Sequence, residues 1–242
     1  MTETNFSAEI PKPQKWPDIV RPELITSGMS PENVDEFCRL PIQVIFVHGS
    51  NVLLKPPYLA LAVEMLENMG FEAMGKKMPH SFRGREADWL PWLNKKINSN
   101  PLTIIAGHST GARAARKIGE VRKFIGAVLF GDTDTDIPHI PVQTWLERMS
   151  GYSHRESRFD LLLKNLIFTR EVRAEHDLLV REEDRENIDK NLGPAEVVKD
   201  VWHVSLENKI PELTLQIILE ELKKRDIAEQ ILHLAKAKKM IK

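Results

Sequence analysis

Strands and helices alternate along this chain, which predicts an α/β fold: a mostly parallel sheet of about six strands with helices on both faces. Three observations carry that expectation. Residues 42–47, 102–106 and 124–130 are near-continuous apolar runs, the pattern of strands buried on both sides. Segments with helical spacing separate them. The middle run leads straight into Gly107-His108-Ser109-Thr110-Gly111, a G-x-S-x-G sequence set between a strand and a helix, the context of a nucleophile elbow.

The glycine spacing has a steric reason. A tight strand-to-helix turn leaves no room for side chains two positions either side of Ser109. The serine backbone is itself strained, so that Oγ stands exposed at the carboxyl end of the sheet. Ala112, Ala114 and Ala115 keep the next helix slim enough to lie close on the strands. Its amino end directs N–H groups toward the place where an oxyanion would form. A turn without chemistry would satisfy the same glycines; the strand and helix flanks favour the nucleophile.

In chain order, residues 1–40 carry prolines at 11, 13, 17, 22 and 31 and no sustained periodicity. They read as a flexible or surface-draped arm that Trp16 and Phe37 could pin to the domain. The domain proper spans 41–225. Its first strand ends in the turn His48-Gly49-Ser50-Asn51. Pro57 then opens a helix with Leu59, Ala62, Val63, Leu66 and Met69 on one stripe, stopped by Gly70. Residues 71–78 form the next strand, and 85–97 a helix made irregular by Pro91. Beyond the elbow and strand 124–130, residues 131–157 are irregular and too short for a helical lid. A helix over 157–165, a strand over 166–170, a charged helix over 181–192 and a strand over 195–201 follow. Pro211 opens a long amphipathic helix whose end, 226–242, is a basic helical tail with Lys236, Lys238, Lys239 and Lys242.

Composition narrows the function. With 42% hydrophobic and 29% charged residues, the 242-residue chain is expected to pack one ordinary core beneath a solvated surface. A net charge of -1 argues against a nucleic-acid partner and against an anionic membrane surface. One cysteine, Cys38, leaves no internal disulfide and no metal cluster. No apolar run approaches the roughly 18 residues of a membrane span, and the N-terminus lacks a hydrophobic signal core, so the expected address is cytoplasmic.

A nucleophilic serine needs a base, and the base needs an orienting acid. In folds of this type the chain order is serine, acid, histidine, the last two on loops after later strands. Ser109, Asp177 and His203 come in that order, each near the carboxyl end of a predicted strand. For the acid, Glu175 stands close by, and Asp132 and Asp134 end an earlier strand. Among the other histidines, His108 reads as packing or bonding locally and His48 as support for the facing turn. His80, His139, His154 and His233 have no partner pattern and read as surface.

These motifs resemble the small α/β-hydrolase family of serine hydrolases typified by retinoblastoma-binding protein 9, over roughly residues 42–223. The resemblance rests on His48-Gly49, the segment from Gly70-Phe71 to Met78-Pro79, and Arg85-Glu86 with Trp89-Leu90-Pro91. It also takes in the elbow from Gly107 to Ala112, Ser150-Gly151-Tyr152, Asp177 and His203. It implies a compact α/β-hydrolase fold without a large lid and the triad Ser109–Asp177–His203. Three positions depart from the family. Ser50-Asn51-Val52-Leu53 replaces a glycine-rich turn, and Trp202 stands where a glycine precedes the histidine. The Leu-x-Cys-x-Glu motif of the retinoblastoma partner is absent, with Ile97-Asn98-Ser99-Asn100-Pro101 in its place.

The expected function is a serine hydrolase for small carboxylic esters or amides, acting through an acyl-enzyme and needing no metal or organic cofactor. Backbone N–H groups of Thr110 and Ser50 would receive the oxyanion. Trp145, Met149, Tyr152 and Phe82 could line a shallow crevice. Two alternatives use the same residues: a hydrolase-fold binding protein with weak or no catalysis, which the altered turn and Trp202 suggest, and acyl transfer to an acceptor other than water.

Overall fold

The apolar runs become neighbouring strands of one sheet in the structure, a computed structural model that describes residues 14–49, 57–75, 78–80, 85–132, 157–203 and 205–241. Strands β1 (Gln43–Val47), β2 (Glu72–Gly75), β3 (Thr103–His108), β4 (Phe124–Phe130), β5 (Leu166–His176) and β6 (Glu196–Trp202) lie in the order β2-β1-β3-β4-β5-β6. Every pairing is parallel. From β1 the chain moves outward to β2, and from β3 it moves the other way to β6. The order therefore reverses between β1 and β3, and in such sheets the carboxyl ends at that reversal form the ligand crevice.

Alternation along the strands sorts their side chains into two cores. Val44, Phe46, Ile104, Ala106, Val128, Phe130 and Val172 face one helical layer. That layer holds α1 (Trp16–Thr26), α2 (Pro31–Phe37), α3 (Pro57–Asn68), α8 (Ile210–Leu222) and α9 (Arg225–Ala237). Ile45, Val47, Ile105, Ala127 and Leu129 face α4 (Glu86–Ser99), α5 (Thr110–Gly119), α6 (Phe159–Asn165) and Ile188 of α7 (Glu182–Leu192). Both faces of the sheet are covered, as its apolar strands require.

The N-terminal segment differs from the expected draped arm. Among its described residues, Trp16, Val20 and Leu24 recur at helical spacing and are buried. Trp16 stacks on Phe71 and meets Phe37 edge-on, each with ring centroids 5.6 Å apart. The prolines that read as breaks are largely helix starts: Pro31 opens α2 behind Ser30, whose Oγ accepts the Asn33 N–H. Of the described prolines in this segment, Pro22 alone lies inside a helix. The C-terminal end differs too. The single long helix is two, and Ile227, Ala228, Ile231, Leu232 and Ala235 of α9 are buried in the same core as α1. Lys236 pairs with Glu36 of α2 at 2.7 Å, so the tail closes over the N-terminal helices while Lys238 and Lys239 remain exposed.

Strand β5 runs six residues past its predicted end at 170, because its charges are neutralised in place. Arg173 bonds Glu171 at 2.9 Å and Asp189 of α7 at 2.8 Å. Buried charges are tolerated when paired in this way.

Close packing of α5 explains the elbow glycines. A Cβ on Gly107 would stand 2.3 Å from the Gly111 carbonyl oxygen, and one on Gly111 2.1 Å from the Val47 carbonyl oxygen. Both obstacles are backbone and cannot swing aside. Gly111→Ala is therefore expected to push α5 off β1 and β3 and to cost on the order of 1–3 kcal/mol. A lowered midpoint in chemical denaturation checks this; an unchanged midpoint would mean that the helix gives way freely.

Candidate active site

Ser109 is the hinge between β3 and α5. Its φ of 55° and ψ of −122° place a non-glycine residue in a sparsely populated region, the kind of strain that clusters at functional sites. Neighbours hold it there. Its N–H donates to the Phe130 carbonyl of β4 at 2.8 Å, and its own carbonyl accepts from Ala112 at 2.9 Å. The turn after β1 comes against the elbow, as its strand order requires: a Cβ built on Gly49 would lie 3.3 Å from Ser109 Cβ. His48 braces that turn. Its Nδ1 donates to the Gly49 carbonyl at 2.6 Å, and its Nε2 accepts the Met78 N–H at 3.0 Å. Trp89 closes the brace edge-on to His48, with ring centroids 5.5 Å apart, and with its indole N–H on the Pro79 carbonyl.

Two later strands bring Asp177 and His203 together. Asp177 follows β5 directly, and His203 follows β6 directly. His203 Nδ1 meets Asp177 Oδ2 at 2.7 Å, and both residues are buried. Asp177 Oδ1 accepts the backbone N–H groups of Leu179 at 3.0 Å and Val180 at 3.2 Å. Burial alone would raise the Asp177 carboxyl. The His203 bond and the two amides outweigh it and hold the group below the usual carboxylate range. A carboxylate that is ionised and fully bonded fixes the imidazole with its proton on Nδ1. His203 Nε2 is then a lone pair, and it is buried without a hydrogen bond. The elbow lies alongside, since the ring of His108 sits 5.0 Å from the ring of His203.

The other acids are committed elsewhere. Asp132 Oδ2 takes the Nε of buried Arg116 at 2.6 Å, on the α5 side of the sheet. Its charge, after burial, helps to push the neighbouring Glu171 carboxyl up to about 7, against the pull of Arg173. Glu175 accepts the Asp200 N–H at 3.0 Å and faces solvent with His176. Glu175, His176 and Asp200 bring ligand atoms within 4.8 Å of one another, but all three are exposed. Trp202 is 54% exposed and packs on His176, so its bulk lies on the outside of the sheet edge. Ser50, Phe82, Asp134, Trp145, Met149 and Tyr152 lie outside the described residues, as do His139 and His154; His80 and His233 are exposed.

Two residues at this centre escape the sequence reading. Gly131 closes β4 with φ of 59°, and a Cβ there would stand 2.8 Å from His203 Cε1 and 2.9 Å from its Nδ1. Its signal is only a glycine at a strand's end. His108, expected to pack or to bond locally, is buried and reaches the His203 carbonyl at 3.1 Å, a partner 95 residues away. Nothing in its local spacing points to that partner.

A six-stranded parallel sheet, a strained serine between strand and helix at the reversal point, and an acid–histidine pair after the last two strands define an α/β-hydrolase fold. Comparison with known proteins agrees. Over 96 residues the chain is 31% identical to the serine hydrolase RBBP9 of Rattus norvegicus, a match covering 40% of this chain and 49% of that relative. It thus spans about half the length of the curated relative that it matches. The fold is similar to that of the ydeN gene product of B. subtilis, with a TM-score of 0.64 and 16% identity over 76% of this chain and all of the other. The α/β hydrolase GrgF of Penicillium sp. sh18 gives a TM-score of 0.60 at 12% identity, over 77% of this chain and 90% of its own. No family model matches the chain.

Proposed function

We propose that this protein is a serine hydrolase that cleaves small carboxylic esters or amides through an acyl-enzyme. The observation that carries the reading is the Asp177–His203 pair, its Nε2 without a hydrogen bond, set beside a strained serine elbow. Ser109 Oγ attacks the substrate carbonyl carbon as its proton passes to His203 Nε2, and Asp177 stabilises the imidazolium that forms. The tetrahedral oxyanion is assigned to the Thr110 N–H at the positive end of α5 and to the Ser50 N–H. His203 then gives the proton to the leaving alkoxide or amine, and the bond to it breaks. Water attacks the acyl carbon as its proton passes to His203; the bond to Ser109 Oγ then breaks, His203 returns the proton to Oγ, and the carboxylic acid departs. The scheme calls on no metal or organic cofactor. Trp145, Tyr152 and Phe82 are our candidates for the substrate wall. With the Leu-x-Cys-x-Glu motif absent, we assign no retinoblastoma-type partner.

No helix among the described residues is long and apolar enough to cross a membrane, and a cytoplasmic site of action is part of the proposal.

A fluorophosphonate probe tests the reading. It should label the native protein and spare Ser109→Ala. A native protein that resists the probe would favour the alternative in which the fold serves binding alone.

Gly131 supplies a further test. Gly131→Ala places a methyl group against the His203 ring and is expected to slow labelling by about 10²-fold, the scale of a 1 Å misplacement. Labelling at the wild-type rate would show that the ring can move aside without consequence.

A further inference from the structure

His108 has a neighbourhood that the proposed reaction does not use. It is 4% exposed and ends β3, one residue before the nucleophile. On one side its Nε2 lies 3.1 Å from the His203 carbonyl. A carbonyl can only accept, so a proton sits on Nε2. On the other side Nδ1 faces Glu207 Oε1 at 3.4 Å without a hydrogen bond. Glu207 belongs to the 3₁₀ turn Ser205–Lys209, just after His203. Behind them lies Tyr58 of α3, whose hydroxyl is buried and makes no hydrogen bond. Burial, and secondarily the charge of Glu207, hold that phenol above its usual value. Burial likewise pulls His108 below the ordinary histidine value, with Glu207 pulling the other way. The ring is thereby neutral around pH 7.

The bond from His108 to His203 spans two strands that do not touch: β3 and β6 are separated by β4 and β5. The sheet therefore links the elbow to His203 only through two intervening strands. Asp177 holds only the imidazole Nδ1. The His203 backbone lies where β6 has ended, and the His108 Nε2–H ties it directly to the elbow.

We propose that His108 is a positioning residue for His203: its Nε2–H anchors the His203 carbonyl to the nucleophile strand, so that one residue pair sets the spacing between elbow and base. The proposal rests on the reading of His203 as the base of the hydrolase. It has a consequence for side-chain choice. The group required at position 108 is a donor at the distance of imidazole Nε2, not an aromatic ring. A glutamine amide can reach as far from Cβ as that nitrogen and can donate.

The experiment compares His108→Gln with His108→Phe in the full chain. Phenylalanine keeps the volume and loses the donor; glutamine keeps the donor and loses part of the volume. We expect His108→Phe to slow fluorophosphonate labelling by about 10–100-fold and to leave KM for a small ester nearly unchanged. His108→Gln should recover most of the rate. A purely packing role gives the reverse order, with phenylalanine active and glutamine poor, and that result overturns the proposal. So does labelling of His108→Phe at the wild-type rate.

A second readout does not depend on activity. Side-chain nuclear magnetic resonance of ¹⁵N-labelled protein follows the His203 ring nitrogens, whose shifts report the tautomer held by Asp177. In His108→Phe these shifts should move toward the averaged values of a mobile ring, and in His108→Gln they should stay with the wild type. Unchanged shifts in His108→Phe overturn the positioning role even if no substrate is ever found. A native protein that resists the probe while His108→Phe still mobilises His203 sinks the hydrolase reading and leaves the anchor standing.

Discussion

Ser109→Ala is expected to fold as the native protein does and to lose about 10⁶-fold in kcat on an activated ester, the loss typical when a triad nucleophile is removed. The covalent route disappears entirely, and only binding and oxyanion stabilisation remain. The fold should survive, because what fixes the elbow is backbone: the Ser109 N–H on Phe130 and the glycines on either side. Alanine inherits the strained φ of 55° and neither relieves nor adds to it. Ser109→Gly makes the strain visible. It should be as inactive as the alanine variant but more stable by about 1 kcal/mol, since glycine occupies such a conformation at no steric cost. Hydrolysis of p-nitrophenyl acetate and denaturation midpoints check both statements. Equal turnover by Ser109→Ala and native protein would place the hydrolysis elsewhere and end the enzyme reading.

Much of this architecture is legible in the sequence because its signals are local. The three apolar runs state their burial within a few residues each, and Gly107 and Gly111 announce a turn whose sterics the structure reproduces atom by atom. Asp177 and His203 could be picked as candidates because chain order in this fold follows from topology. What stayed hidden depends on long-range partners. The helices of residues 16–37 owe their place to Trp16 reaching Phe71, and no periodicity across so many prolines reports that contact. Strand β5 looks broken after Arg170 because Glu171 and Arg173 read as surface charges until Asp189 arrives from α7. His108 is the sharpest case. Its place directly before Ser109 is plain, yet its partner is contributed by the far edge of the sheet.

Asp177→Asn should lower kcat by roughly 10⁴-fold, because an asparagine cannot serve both sides of the position that the aspartate fills. One carboxylate oxygen accepts the His203 Nδ1–H and the other accepts two backbone amides, from Leu179 and Val180. With its amide oxygen toward those N–H groups, the substituted side chain would turn its NH₂ on His203 Nδ1. That drives the ring proton to Nε2, where it blocks uptake of the Ser109 proton. Flipped, the same NH₂ would face two backbone donors and leave them buried without acceptors. Either arrangement costs, and the first is the catalytic loss. The substitution should also change the pH dependence of stability. The Asp177 carboxyl is held below its usual value in the folded state, so its stabilisation is fully present above the unfolded pKa of about 3.9 and is lost as pH falls through the folded value. Asp177→Asn removes that contribution and should flatten the acid limb of the stability curve. The contrast is Asp132→Asn. That change weakens the buried ion pair with Arg116 and should cost about 3 kcal/mol in stability, with kcat within a few-fold of native. Glu175→Gln, at an exposed position, should change neither. A variant set in which Asp132→Asn abolished turnover while Asp177→Asn retained it would move the orienting acid to the end of β4 and break the triad as assigned.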